Sequence, residues 1–226
     1  PEIRLAEEPR MTNRTAIIAG ATGLVGREIL EGLLADRTVV AVHSLGRRPP
    51  AIAHPKLTAH VVDFAALPAL PCADEVYLAL GTTIKVAGSQ AAFRAVDHDA
   101  NLAVATAALA AGARKAGLVS AMGADARSTV FYSRVKGELE NALAQMPFDR
   151  LAIARPSMLV GNREALGQPT RRGEEWASAI GKVLGFLIPA NYKPIEAAAV
   201  ARALLRAVPS GKGTTVLKSG AMQREA

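Results

Sequence analysis

The sequence is poor in cysteine and in aromatic residues, and it has no long apolar run. Cys72 is the single cysteine among 226 residues. That excludes an internal disulfide framework and fits a reducing compartment, read here as the cytoplasm. Cys72 stands beside Pro71 with no His or second thiol nearby, so nothing marks it as a nucleophile. Phe, Trp and Tyr make up only 4% of the chain, which argues against the stacking platforms that bind RNA or single strands. No apolar stretch reaches the ~18 residues of a membrane span, and Pro1 to Arg10 hold no signal-peptide core. His43, His54, His60 and His98 lack the spacing of a metal site, so no metal is expected. His98 lies between Asp97 and Asp99, but consecutive residues point to different sides of a helix.

The formal net charge is +7. The basic residues are dispersed, and the pair Arg171-Arg172 is short. An anionic small ligand accounts for the excess better than nucleic acid does.

Apolar runs near 15–19, 38–43, 58–62, 76–80, 116–120 and 151–155 alternate with helical or loop stretches. This alternation predicts an α/β fold with a doubly wound parallel sheet. The pattern predicts helices over Asp97 to Ala111, Ser133 to Gln145 and Ile195 to Val208, and a last short strand over Thr214 to Leu217. Residues 1–13 read as an N-terminal extension, with Met11 a candidate start, and 14–226 as one domain. Residues 157–195 read as a small substrate-side segment. In it, Trp176, Phe186 and Leu187 suit either a pocket wall or a packed or homodimer-forming helix.

The first apolar run leads at once into Gly20-Ala21-Thr22-Gly23-Leu24-Val25-Gly26 and then an amphipathic helix pattern. Strand, glycine turn and helix are the context of a dinucleotide-binding turn. The spacing is G-x-x-G-x-x-G, which still permits a tight turn with the helix N-terminus facing a pyrophosphate. Gly20, Thr22, Gly23, Leu24, Val25 and Gly26 are therefore candidate cofactor contacts. The second run ends without the carboxylate that a free ribose 2′-hydroxyl would want. It leads instead to Arg47 and Arg48, which suit a 2′-phosphate and favour NADP(H) over NAD(H). Asp63 and Phe64 follow the third run, where Asp63 can meet an adenine amino group or cap a turn. Leu80, Gly81 and Thr82 follow the fourth, where Gly81 lets the backbone pass close to a cofactor.

Tyr132 and Lys136 are four residues apart and so share a helix face. An ammonium beside a phenol favours the phenolate and makes the Tyr usable in carbonyl/alcohol proton transfer. Ser120 ends the fifth run, at the sheet edge where open α/β folds hold ligands.

In their order, the glycine turn, Leu80-Gly81-Thr82-Thr83, Ser120 and Tyr132/Lys136 resemble the short-chain dehydrogenase/reductase superfamily. Phe93 to Asp99, Ser120 to Asp125, Val135 to Glu138, and Phe148 to Leu151 leading into Arg155-Pro156 resemble its atypical branch of Tat-interacting-protein-like oxidoreductases. The resemblance implies a Rossmann fold. It implies Tyr132 as proton donor or acceptor, Ser120 as the hydroxyl that orients substrate, and Lys136 as the residue that binds the nicotinamide ribose and tunes Tyr132. It also implies cofactor contact near Pro156. Many relatives place an Asn on the helix after the fourth strand; here Asp97 falls at that place, with Asn101 one turn later. The expected function is an NADP(H)-dependent oxidoreductase acting on a carbonyl or alcohol. The alternative is an NADP(H)-binding redox sensor or scaffold with little turnover.

Overall fold

All six apolar runs become parallel strands in the computed structural model, which describes residues 13–160 and 190–224. The strands are β1 (Arg14–Ala19), β2 (Val39–Gly46), β3 (Leu57–Val61), β4 (Glu75–Leu78), β5 (Lys115–Val119) and β6 (Arg150–Arg155). Leu159–Val160 and Ile195–Glu196 form two short strands, β7 and β8, and Gly213–Lys218 forms β9. The main sheet has 7 strands in the order β3-β2-β1-β4-β5-β6-β9. Strand order reverses between β1 and β4, and the crevice beyond their carboxyl ends is where such sheets bind ligands.

Helices cover both faces. On one side α1 (Leu24–Ala35) packs with Ala197–Ala207, labelled α6 below. Ile29, Leu30, Leu33 and Leu34 of α1 meet Val200 and Leu204 over Ile18 and Val42 of the sheet. Between them come α2 (Ile84–Ala87), α3 (Gln90–Arg94), α4 (Asn101–Ala110) and α5 (Phe131–Ala144). The other core layer joins Val104 and Ala108 of α4, Leu139 and Leu143 of α5, and Ile17, Val76, Leu118 and Ile153 of the sheet. The small side chains of α4 let it lie close on the strands.

Several boundaries differ from the sequence reading. Strand β2 runs three residues past His43, because Ser44, Leu45 and Gly46 continue its pairing with β1 or β3. The helix expected over Asp97 to Ala111 is divided: Ala95–Ala100 is π-helical, and α4 starts at Asn101. Ile195 and Glu196 pair with β7 before α6 begins. A last helix, α7 (Ser219–Arg224), had no expected counterpart. Trp176, Phe186, Leu187, the Arg171-Arg172 pair and nearly all of the N-terminal extension lie outside the described residues.

The amino edge of the sheet carries a buried ionic cluster. Arg14 pairs with Asp36 and, at 2.6 Å, with Glu75, whose side chain is 1% exposed. The Tyr77 hydroxyl donates to Glu75 at 3.3 Å. Burial pushes the Glu75 carboxyl above its ordinary range, more than Arg14 and the Tyr77 hydroxyl pull it down. The same burial, together with Glu75, raises the Tyr77 phenol well above its usual value. This cluster ties β1, α1 and β4 together on the side away from the crevice.

Candidate active site

The glycine turn closes directly on the loop after β4. Gly20 has φ +90°, and a β-carbon there would lie 2.4 Å from the Ala79 carbonyl oxygen. A β-carbon on Gly26 would fall 2.0 Å from the Gly20 carbonyl oxygen. Both positions thus require glycine, one for conformation and contact, the other for contact alone. Gly23 is the N-cap of α1; its N–H donates to Gly20 at 2.9 Å, and it offers no side chain to cap the helix. The first-turn N–H groups of α1 are therefore left for a ligand, as an anion site needs. Val25 is buried, Leu24 packs partly into the core, and Thr22 is half-buried in the turn.

Arg47 and Arg48 lie just past β2 and are exposed. Neither forms an ion pair among the described residues, so both guanidiniums remain available to an anion. Asp63 is exposed beyond β3 and shapes a turn: its Oδ1 accepts from the Ala65 N–H at 2.9 Å. Phe64 packs partly into the core beside it.

Past β4, the Thr82 N–H donates to Asp97 Oδ2 at 2.8 Å. Asp97 Oδ1 also meets the Lys136 ammonium at 2.7 Å, with side chains 1% and 5% exposed. Burial pushes the Asp97 carboxyl up, while Lys136 and the Thr82 N–H oppose that shift. A β-carbon on Gly81 would stand 3.6 Å from Asp97 Oδ1 and 3.9 Å from Lys136 Nζ, so the ion pair lies beside this loop. Asn101 Nδ2 donates to the carbonyls of Leu80 at 3.1 Å and Asp97 at 3.2 Å, which pins the π-helical turn to the loop. Asn101 Oδ1 is buried without a partner among the described residues.

Tyr132 is the second residue of α5, with Lys136 one turn below. Its ring packs on buried Phe93, centroids 5.5 Å apart, and is 36% exposed. Its hydroxyl makes no hydrogen bond among the described residues. Gly137 brings α5 onto the loop after β5, since a β-carbon there would lie 2.2 Å from the Ala126 nitrogen.

Ser120 sits immediately after β5 and is 5% exposed. Its N–H donates to Ala154 at 2.8 Å, and its hydroxyl donates to Glu140 Oε1. Glu140 is in turn forked by Arg155, whose Nε lies 3.0 Å from Oε1 and 3.1 Å from Oε2. Pro156 follows, buried, with its carbonyl accepting from the Met122 N–H at 2.8 Å. Sequence reasoning missed Glu140. It lies four residues beyond Lys136, so it continues the Tyr132–Lys136 stripe by one more turn, and that spacing was the available signal. Ser120, Tyr132, Lys136 and the glycine turn thus all gather at the carboxyl edge, whereas Ser120 and Lys136 are each engaged by a carboxylate.

The residues present fit a dinucleotide: two obligatory glycines, an uncapped helix start, an exposed arginine pair with no ion pair among the described residues, and a buried ammonium. Comparison with known proteins agrees. The NAD(P)H-binding family model matches residues 20–177. Protein fmp52, mitochondrial, of Emericella nidulans is 36% identical over 179 residues, covering 74% of this chain and 76% of that protein. Protein HTATIP2 of Rattus norvegicus is 35% identical over 179 residues, covering 76% and 72%. Among solved structures, a UDP-N-acetylglucosamine 4-epimerase from Methanobrevibacter ruminantium has a TM-score of 0.69 at 16% identity, covering 92% of this chain and 77% of that one. The Bordetella bronchiseptica enzyme WbmG in complex with NAD has a TM-score of 0.65 at 14% identity, covering 94% and 74%. At these identities the two structures bear on the fold alone.

The cytoplasmic expectation is corrected by the fungal relatives, which are named mitochondrial. A lone cysteine reports redox environment and not address, so it could not separate two reducing compartments. Among the described residues no helix is long and apolar enough to cross a membrane. With a Rossmann sheet of this order, its glycine turn at the switch point and these relatives, the chain belongs to the NAD(P)H-binding family, in an atypical branch related to the short-chain dehydrogenases/reductases.

Proposed function

We propose that the chain is an NADP(H)-dependent oxidoreductase that interconverts a carbonyl and an alcohol. The observation that carries this reading is the part-exposed Tyr132, whose hydroxyl is unbonded among the described residues, one turn above the buried Lys136–Asp97 pair and on the same edge as the glycine turn. A bound nicotinamide supplies or takes the hydride. The chain's own part is to bind, orient and move a proton. The α1 N-terminus holds the pyrophosphate through the Leu24 and Val25 backbone N–H groups, with Gly20 and Gly26 allowing close approach. Arg47 and Arg48 take the 2′-phosphate. Lys136 donates to ribose hydroxyls, and Leu80, Gly81, Thr82 and Pro156 line the same passage.

Tyr132 passes its hydroxyl proton to the substrate oxygen in reduction and recovers it in oxidation. Ser120 gives its own proton to Glu140, so it turns lone pairs toward the crevice. In that state it accepts a hydrogen bond from an alcohol or from Tyr132. To donate to a carbonyl oxygen it must first leave Glu140. Met122, Val130 and Met158 are exposed on segments that follow the carboxyl ends of β5 and β6. They favour an apolar carbonyl compound over a charged one.

The regulatory reading, a redox sensor with little turnover, has one observation in its favour: the Ser120 hydroxyl and the Lys136 ammonium are both already engaged within the protein. A panel of aldehydes, ketones and quinones followed by NADPH absorbance separates the two. The enzyme reading predicts turnover that falls by about 10²–10⁴-fold in Tyr132→Phe while NADPH still binds. Full activity in that variant contradicts it, and tight NADPH binding with no substrate across the panel favours the sensor.

A further inference from the structure

We propose that Asp97 is a positioning residue for the nicotinamide-ribose end of the cofactor, holding the Lys136 ammonium ready for it. This rests on the reading that the chain binds NADP(H). Three observations carry it. The first is a buried ammonium with hydrogen bonds to spare. Lys136 is 4% exposed, and among the described residues its single partner is Asp97 at 2.7 Å. An ammonium carries three donors. Two are unspent in a position shielded from water, where an unpaired donor is costly. The remaining donors point to an acceptor that the described residues do not provide.

The second observation is location. The Arg14–Glu75 pair, its arginine 13% and its carboxylate 1% exposed, sits at the amino edge, where no ligand is expected. The Lys136–Asp97 pair instead lies against Gly81, at the lip of the crevice, with no side chain between them. The third is how Asp97 is held. One oxygen takes the Thr82 N–H at 2.8 Å and the other takes Lys136, so a single carboxylate joins the β4 loop to α5. The π-helical turn Ala95–Ala100 brings it there, and Asn101 ties that turn to Leu80. Turns of this kind are concentrated at functional sites. An asparagine in the same place would accept the Thr82 N–H but would leave Lys136 without its counter-charge. Asp97 therefore sets the ammonium's position, and the ribose hydroxyls take the donors that are left.

Calorimetric titration of the full chain with NADPH and with adenosine 2′,5′-bisphosphate tests this. The second compound keeps the adenine, the 2′-phosphate and one 5′-phosphate but lacks the nicotinamide half. Asp97→Asn is expected to weaken NADPH on the order of tenfold or more and to leave adenosine 2′,5′-bisphosphate within about twofold. A merely structural role would weaken both alike. Equal loss for both compounds, or no loss for either, overturns the proposal. If Asp97→Asn alone does not fold, Asp97→Asn with Lys136→Met removes both charges together and keeps the test open. That pair should bind NADPH no worse than Lys136→Met alone, and a further loss beyond Lys136→Met overturns the proposal. Wild-type protein that binds neither compound removes the NADP(H) reading itself. Wild-type protein that binds both normally, with an Asp97→Asn variant to match, removes only the role given to Asp97.

Discussion

Ser120 donates its hydroxyl proton to Glu140, a carboxylate that Arg155 holds from the other side. The three residues come from the end of β5, the middle of α5 and the end of β6, so the contact fixes the helix bearing Tyr132 against the strand end bearing Ser120. Glu140→Gln keeps the shape but loses the charge that Arg155 meets. We expect a loss of about 1–3 kcal/mol in urea unfolding, with NADPH affinity little changed. Turnover should change more than affinity, because the amide can donate to Ser120 and reverse the direction of its hydroxyl. Wild-type stability together with wild-type turnover in this variant would remove the role given to Glu140.

The three glycines of the turn differ in what they tolerate. Gly20→Ala sets a β-carbon 2.4 Å from a backbone oxygen at φ +90°, and Gly26→Ala sets one 2.0 Å from another. Backbone cannot yield as a side chain can. Both variants should lose NADPH binding and lower the melting temperature. A β-carbon on Gly23 comes no nearer than 3.3 Å, and its φ is −86°. Gly23→Ala should cost about 1 kcal/mol or less, the usual penalty for a poor N-cap. Thermal melts with and without NADPH check the order, and a Gly23 variant as damaged as the Gly26 variant contradicts it.

Glu75 gives a dependence on pH with a definite sign. Burial raises its folded-state carboxyl above the ordinary value of 4.5. The folded chain then binds more protons than the unfolded chain in the window between that value and the raised one. The contribution of the raised carboxyl is full below the unfolded value and is lost as pH rises through the folded one. The stability difference between wild type and Glu75→Gln should therefore shift against wild type as pH climbs from about 4 through that window, then level off. Urea midpoints for both proteins across this range check it. A difference that is flat, or that moves in favour of wild type, contradicts the burial argument.

Much of this was legible in the sequence, and the reasons are physical. Strands of a parallel sheet are buried on both faces, so they read as continuous apolar runs, and six were placed to within a few residues. The glycine turn was legible because only glycine suits the contacts at Gly20 and Gly26. The partners of the site were not. Glu140 four residues after Lys136 reads as an ordinary surface pair on a helix until the fold brings Ser120 and Arg155 to it. Asp97 was seen to replace an asparagine, but its grip on Lys136 spans 39 positions (Asp97 to Lys136) and depends on a π-helical turn that no residue pattern announces. Likewise Arg14 and Glu75 are 61 residues apart and meet only through strand pairing. Two-residue strands such as β7 and β8 are too short to leave a periodic signal.

The central claim is that the crevice between β1 and β4 binds a dinucleotide and prefers the 2′-phosphorylated one. Its most direct test is calorimetric titration of the purified chain with NADPH and NADH, repeated on Arg47→Ala with Arg48→Ala. The account predicts saturable binding of one dinucleotide per chain, tighter for NADPH, with the double substitution weakening NADPH at least about tenfold and leaving NADH nearly as it was. No heat of binding with either compound, or an equal loss for both in the double variant, would contradict it.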